Sequence, residues 1–192
     1  MLSMAAFALA ASISPGPVNI VALSLGARYG FGASLHHVTG ATVGFVALLL
    51  LTGFGLHEVL LQWPALADAI RWFGVAFLLY MAFRLAADSG QLASEADATR
   101  PSMSSGAAMQ WLNPKAWLAS VAGMGAYAVH GESRQVWLFA GIYFVVCYGS
   151  IAAWAYLGSR LQALLQQPAR VRLFNRVLAL LLVASAAYMV LG

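Results

Sequence analysis

The chain has 192 residues, 62% hydrophobic and only 8% charged, with a formal net charge of +4. Soluble domains carry roughly a quarter charged residues, so a water-soluble fold is excluded, and no cluster of lysine and arginine is dense enough for nucleic acid. Uncharged runs from Met1 to Ala27, Tyr29 to His57, Ala116 to Gly131 and Gln135 to Ser159 are of the length that bilayer-crossing helices need, about 20 residues. Phe45 to Leu51 and Val177 to Val183 are apolar at every position, which excludes the alternation of a membrane β-barrel. The expected class is therefore an all-α integral membrane protein. A single cysteine, Cys147, excludes an intramolecular disulfide framework and a cysteine metal cluster, and no metal or cofactor is expected.

Six transmembrane helices are predicted, over Met1 to Leu25, His36 to Leu56, Ala65 to Ala87, Gly106 to Val129, Gln135 to Leu157 and Leu173 to Leu191. Although Ala8-Leu9-Ala10 resembles a signal-peptide cleavage site, no basic segment precedes it, so the first span is read as retained. Span two opens on His36 and His37 and carries Gly40 and Gly44, a small-residue face like that of Gly26 and Gly30. The spacing leaves open whether those faces pack within one subunit or make a homo-oligomer. Asp68 and Arg71 on span three are placed for a local ion pair. Arg28, Arg84, Arg100, Arg160, Arg170 and Arg172 follow the odd-numbered spans, whereas the even connections hold only Arg134 with Glu132, and His57 with Glu58. The positive-inside rule then puts the odd connections in the cytoplasm and both termini outside.

Residues 89–105, rich in Ser and Ala with acidic residues and Pro101, read as a flexible cytoplasmic linker between 1–88 and 106–192. Pro15 and Pro114 stand 99 positions apart, and the same offset carries spans two and three into spans five and six. This predicts a three-helix unit used twice. Because three is odd, the copies are inverted repeats, with helices 1 and 4 broken at their prolines.

Two motifs carry the candidate chemistry: Ser14-Pro15-Gly16-Pro17-Val18-Asn19 and Asn113-Pro114-Lys115-Ala116-Trp117. Proline removes a backbone donor and interrupts the helix, and the polar groups it frees are tolerated at membrane depth only inside protein or beside a wet cavity. A matched pair of breaks therefore points to a midplane site. Lys115 is the only lysine. A charge at the middle of a membrane helix costs about 2.5 to 3.5 kcal/mol on insertion scales, so Lys115 either snorkels to the interface or joins the helix N-termini as a centre that attracts a carboxylate.

Both motifs resemble those of the LysE/RhtB family of amino-acid exporters, which carry a Pro-Gly-Pro element in the first span and Asn-Pro-Lys-Ala-Trp in the fourth. The resemblance extends to chain length, span count and the polar linker, and differs where Val18 precedes Asn19. It implies secondary active export of amino acids or related metabolites across a bacterial cytoplasmic membrane, driven by an ion gradient. The expected substrate-binding residues are Ser14, Pro15, Gly16, Pro17, Asn19, Asn113, Pro114 and Lys115.

No Asp or Glu lies deep in a span, so a cationic substrate is disfavoured and a neutral amino acid is expected. His36 and His37 are candidates for coupling to protons, set against an interfacial pair contacting headgroups. Tyr143, Tyr148, Trp154 and Tyr156 are read as packing or interface residues. An enzyme is not expected, because no convergent acid, base, nucleophile or metal set occurs. The competing reading is a non-transporting scaffold or channel subunit.

Overall fold

A computed structural model describes residues 1–56, 62–87, 101–128, 132–161 and 167–191. Among the described residues there are seven α-helices, one π-helical turn and no strand. Helix α1 (Leu2–Ile13) stops ahead of Pro15, and α2 (Pro17–Leu51) restarts with Pro17 in its first turn, where a missing N–H is harmless. A π-helical turn, Thr52–Leu56, extends α2. Helix α3 spans Pro64–Ala86. Helix α4 (Met103–Trp111) is capped by Ser102 Oγ, which accepts from the Ser105 N–H at 3.1 Å. Helices α5 (Pro114–Tyr127), α6 (Ser133–Leu161) and α7 (Pro168–Leu191) complete the chain.

Spans one and four are interrupted at their prolines, as α1/α2 and α4/α5. The expected connection between spans one and two is different. It is a sharp break at Gly30, whose φ of 81° lies in the left-handed region, and the chain reverses there, bringing Val18 and Asn19 onto the same cavity as Phe45. Glycine takes that conformation without strain, so one residue makes the turn, and Ser34 Oγ donates to the Gly30 carbonyl at 2.8 Å. Of the expected linker, residues 89–100 lie outside the described residues, and from Met103 the chain is helical. Helix α7 starts at Pro168, which lifts exposed Arg170, Arg172 and Arg176 onto its first turns. Asp68 is exposed, whereas the Arg71 side chain lies outside the described part.

Helix α2 is central. It packs along α6 and α4, α1 lies against α6, and α3 pairs with α7. Small residues make these approaches possible. A Cβ on Gly26 would land on the Ala155 carbonyl, one on Gly158 on the Leu23 carbonyl, and one on Gly40 on the Met103 carbonyl. Both expected glycine faces are therefore tested: Gly40, Gly44 and Gly26 pack inside the subunit, while Gly30 meets nothing and serves as the kink.

Outward faces are apolar. Trp72, Phe73 and Phe83 on α3, Val145 and Leu157 on α6, and Leu173 and Leu180 on α7 are all exposed. In water such a surface would aggregate, whereas lipid accepts it. At one end of the bundle Phe31 meets the Tyr156 ring edge-on, 5.7 Å between centroids. At the other, Tyr127 donates to the Ser3 carbonyl and Phe54 lies 6.1 Å from Trp137. The chain segments after Ala27 and toward Leu161 thus share one end, and the N-terminus shares the other with the last turn of α5.

Candidate functional site

The first break exposes four consecutive carbonyls, and each finds a side-chain donor. Asn19 Nδ2 donates to the Ser12 carbonyl at 2.8 Å and to the Ser14 carbonyl at 2.9 Å. Trp154 Nε1 donates to the Ile13 carbonyl at 3.0 Å. Lys115 Nζ donates to the Ser14 carbonyl at 2.7 Å and Ser14 Oγ at 2.8 Å, and lies 3.4 Å from the Pro15 carbonyl. The ammonium thus sits at the negative end of α1, where a cation is favoured. Gly16 makes room for it: a Cβ there would lie 3.2 Å from Lys115 Cδ and 3.3 Å from Nζ.

The Asn-Pro-Lys-Ala-Trp string works as one unit. Asn113 caps α5, its Oδ1 accepting from the Lys115 N–H at 3.1 Å, and Pro114 takes the first helical position. Lys115 then points back across to the first break. Ala116 is buried, and Trp117 Nε1 donates to the Trp111 carbonyl at 2.7 Å, closing the end of α4. Trp111 Nε1 in turn reaches the Gly44 carbonyl at 3.1 Å. Helix α2, in contrast, has no side-chain cap at Pro17, so its first-turn N–H groups remain an anion-attracting end.

Between the two breaks lies a pocket of about 40 Å³, lined by Ser12, Gly16, Val18, Asn19, Gln110, Asn113 and Lys115 on the broken spans and by Phe45, Tyr143 and Cys147 on the helices packed against them. That volume holds a few water molecules and falls well short of the ~300 Å³ at which ligand pockets begin, so this is a contracted arrangement. Lys115 is the single charged side chain among the described lining residues.

Gly16, Asn19, Asn113 and Lys115 are brought together on the pocket wall, with Ser14 and Pro15 held against Lys115. Pro17 and Pro114 start the two helices that frame it. Lys115 does not snorkel outward; its ammonium is turned inward onto Ser14. The histidines part company. His36 is exposed, with Nδ1 3.3 Å from the Ala33 carbonyl. His37 is 1% exposed and neither ring nitrogen makes a hydrogen bond, although the Val18 backbone lies nearby. A headgroup pair is thus not what His37 forms, because close packing of Gly106 onto the His37 backbone encloses it.

Ser12, Gln110, Phe45, Tyr143 and Cys147 were not singled out by sequence as site residues. Tyr143 packs as expected, stacked on Phe45 at 4.4 Å, and it lines the pocket as well. The available signal was the four-residue spacing of Tyr143 and Cys147, which places them on one face of α6.

The profile of the LysE type translocator matches residues 9–192. The chain belongs to the LysE type translocator family. Proteins of this family are membrane translocators and not enzymes. Among curated relatives, the cysteine/O-acetylserine efflux protein of Escherichia coli O157:H7 is 28% identical over 184 residues, covering 94% of this chain and 92% of that protein. The proteins of the same name from Escherichia coli strain K12 and Shigella flexneri serotype 5b are 28% identical over 183 residues, with the same coverage. No solved structure matches the chain.

Proposed function

We propose that this translocator is a secondary active exporter of small neutral amino acids, including cysteine and O-acetylserine, across the bacterial cytoplasmic membrane. One observation carries the reading: a lysine ammonium, with no carboxylate partner among the described residues, forms one wall of a pocket framed by two broken helices. The substrate's carboxylate takes the place of Ser14 on Lys115 and lies near the uncapped start of α2. Asn19 and Asn113 present polar groups to the rest of the zwitterion.

In this reading α1 to α7 make six crossings, as inverted repeats spanning 1–88 and 106–192, with both termini outside. Its support is reciprocal packing: the broken span of each half lies against the second span of the other, and the two third spans pair. The contracted pocket requires a wider state for the substrate, so access alternates. Because Lys115 bridges the breaks, a carboxylate that draws it away loosens the contact holding them together, and binding energy thereby shifts the balance between states.

His37 is the coupling group in this scheme, and His36 is not. Placing a proton on a buried imidazole with no partner is unfavourable, so protonation favours whichever state hydrates or pairs the ring. In proteoliposomes, His37→Gln is expected to keep substrate exchange at equal concentrations while losing most of the acceleration from an imposed pH gradient. Full gradient-driven export by that variant assigns coupling to another group.

The function itself is tested by preloading vesicles containing the purified protein with labelled cysteine, O-acetylserine, alanine, lysine and glutamate. The neutral compounds should leave at least tenfold faster than lysine. If none leaves faster than from protein-free vesicles, the protein is a scaffold or channel subunit and not a carrier of amino acids.

A further inference from the structure

We propose that Ser12, Thr42 and Cys147 form the side-chain subsite, selecting a thiol-, hydroxyl- or ester-bearing side chain over an aliphatic one. This rests on the export reading above and adds the residues that discriminate among its substrates.

Serine and threonine in a membrane helix ordinarily return their hydroxyl to the carbonyl one turn back. Ser34, Thr39, Thr52 and Ser185 all do so here, at 2.8, 2.8, 2.8 and 2.9 Å. Ser12 and Thr42 do not. Ser12 is 9% exposed and Thr42 0%, and neither hydroxyl makes a close hydrogen bond; Ser12 lies near the Tyr143 hydroxyl and the Cys147 thiol, and Thr42 near the same thiol. An unmade hydrogen bond in an apolar interior is unfavourable, and two side by side call for a shared reason.

They come from different helices, α1 and α2, and both lie beside the Cys147 thiol of α6. Ser12 and Cys147 line the pocket that Lys115 also lines. The pocket thus has a cationic pole for the carboxylate and a neutral pole of Ser12 and Cys147, with Thr42 against the thiol though not itself on the pocket wall. An amino acid bound by its carboxylate directs its side chain toward that neutral pole. A thiol, hydroxyl or ester carbonyl there pairs with Ser12 and with the Cys147 thiol that Thr42 backs, whereas an aliphatic side chain leaves them unpaired and is bound less tightly. The Phe45–Tyr143 stack lines the same cavity and limits side-chain length.

The test is substrate-dependent efflux from proteoliposomes, with KM determined for cysteine, serine, alanine and valine. Ser12→Ala combined with Thr42→Val should raise the ratio of the cysteine KM to the alanine KM about tenfold. Cys147→Val should move the ratio the same way, while Cys147→Ser, which keeps a donor and acceptor, should hold it within about threefold of the original. An unchanged ratio in both the double variant and Cys147→Val, or an equal loss for all four substrates, overturns the subsite while leaving amino-acid export standing. If the unmodified protein moves none of the four, the export reading fails and the subsite with it. Should the double variant not insert, Thr42→Val and Ser12→Ala alone carry the same ratio test.

Discussion

Replacing Lys115 with methionine should reduce amino-acid export by about two to three orders of magnitude. Methionine matches much of the aliphatic stem, so the space beside Gly16 remains filled and the change removes chiefly the ammonium. Ser14 Oγ and the Pro15 carbonyl then lose their donor, and the Ser14 carbonyl keeps only Asn19. The substrate carboxylate loses its cation at the same time. Breaking a buried charged contact by removing one partner costs about 3 to 5 kcal/mol, which is the fold-change stated. Arginine should be a poor substitute, because its planar fork cannot occupy the compact point between Ser14 and Gly16. Initial efflux from preloaded vesicles, normalised to inserted protein, reads the effect. Ser14→Ala, which deletes one of the three acceptors, should lower the rate only severalfold. Export by Lys115→Met at the original rate would place substrate recognition elsewhere.

The second large effect is on assembly. Gly40→Ala should lower the apparent melting temperature in detergent by about 5 to 10 °C, and Gly40→Val should leave little folded protein. A Cβ at Gly40 lands on the Met103 carbonyl and presses on the Met103 backbone. No rotamer relieves a clash with backbone, so α4 must move as a body, and α4 positions Gln110 and Trp111 at the second break. Overpacking costs typically 1 to 3 kcal/mol, and in a chain of this size each kcal/mol corresponds to about 2 to 4 °C. Gly149→Ala is the internal comparison, because that glycine on α6 is exposed and nothing lies within 4 Å of its added Cβ. It should melt within about 2 °C of the original protein. Equal losses at Gly40 and Gly149 would mean that the α2–α4 approach is not what holds this region.

The helix breaks were legible in the sequence because proline acts locally: Pro15, Pro17 and Pro114 set where backbone donors are lost, whatever surrounds them. Lys115 was legible for a related reason, since a lone charge in an apolar run demands a partner. The sequence did not disclose which partner, because the Ser14 carbonyls become acceptors only once α1 stops. The turn between the first two spans was legible in position, from Arg28 and the glycines at 26, 30 and 32, but not in length, because one left-handed glycine reverses the chain where a longer loop was expected. The neutral wall of the pocket stayed hidden for a different reason. In lipid both faces of a helix are apolar, so hydropathy does not tell the inward face of α6, with Tyr143 and Cys147, from the outward one with Val145 and Phe144. His37 followed the same pattern, being enclosed by the glycine-mediated approach of α4.

The way the first break is finished has a consequence for biosynthesis. Its Pro15 carbonyl waits for a lysine 100 positions downstream, and its Ile13 carbonyl for a tryptophan 141 positions downstream. A ribosome that has delivered the opening helices has therefore not yet made the groups that complete them. Until Lys115 and Trp154 emerge, the nascent N-terminal half depends on water or on the insertion machinery to cover those oxygens, and it matures only when the other half arrives.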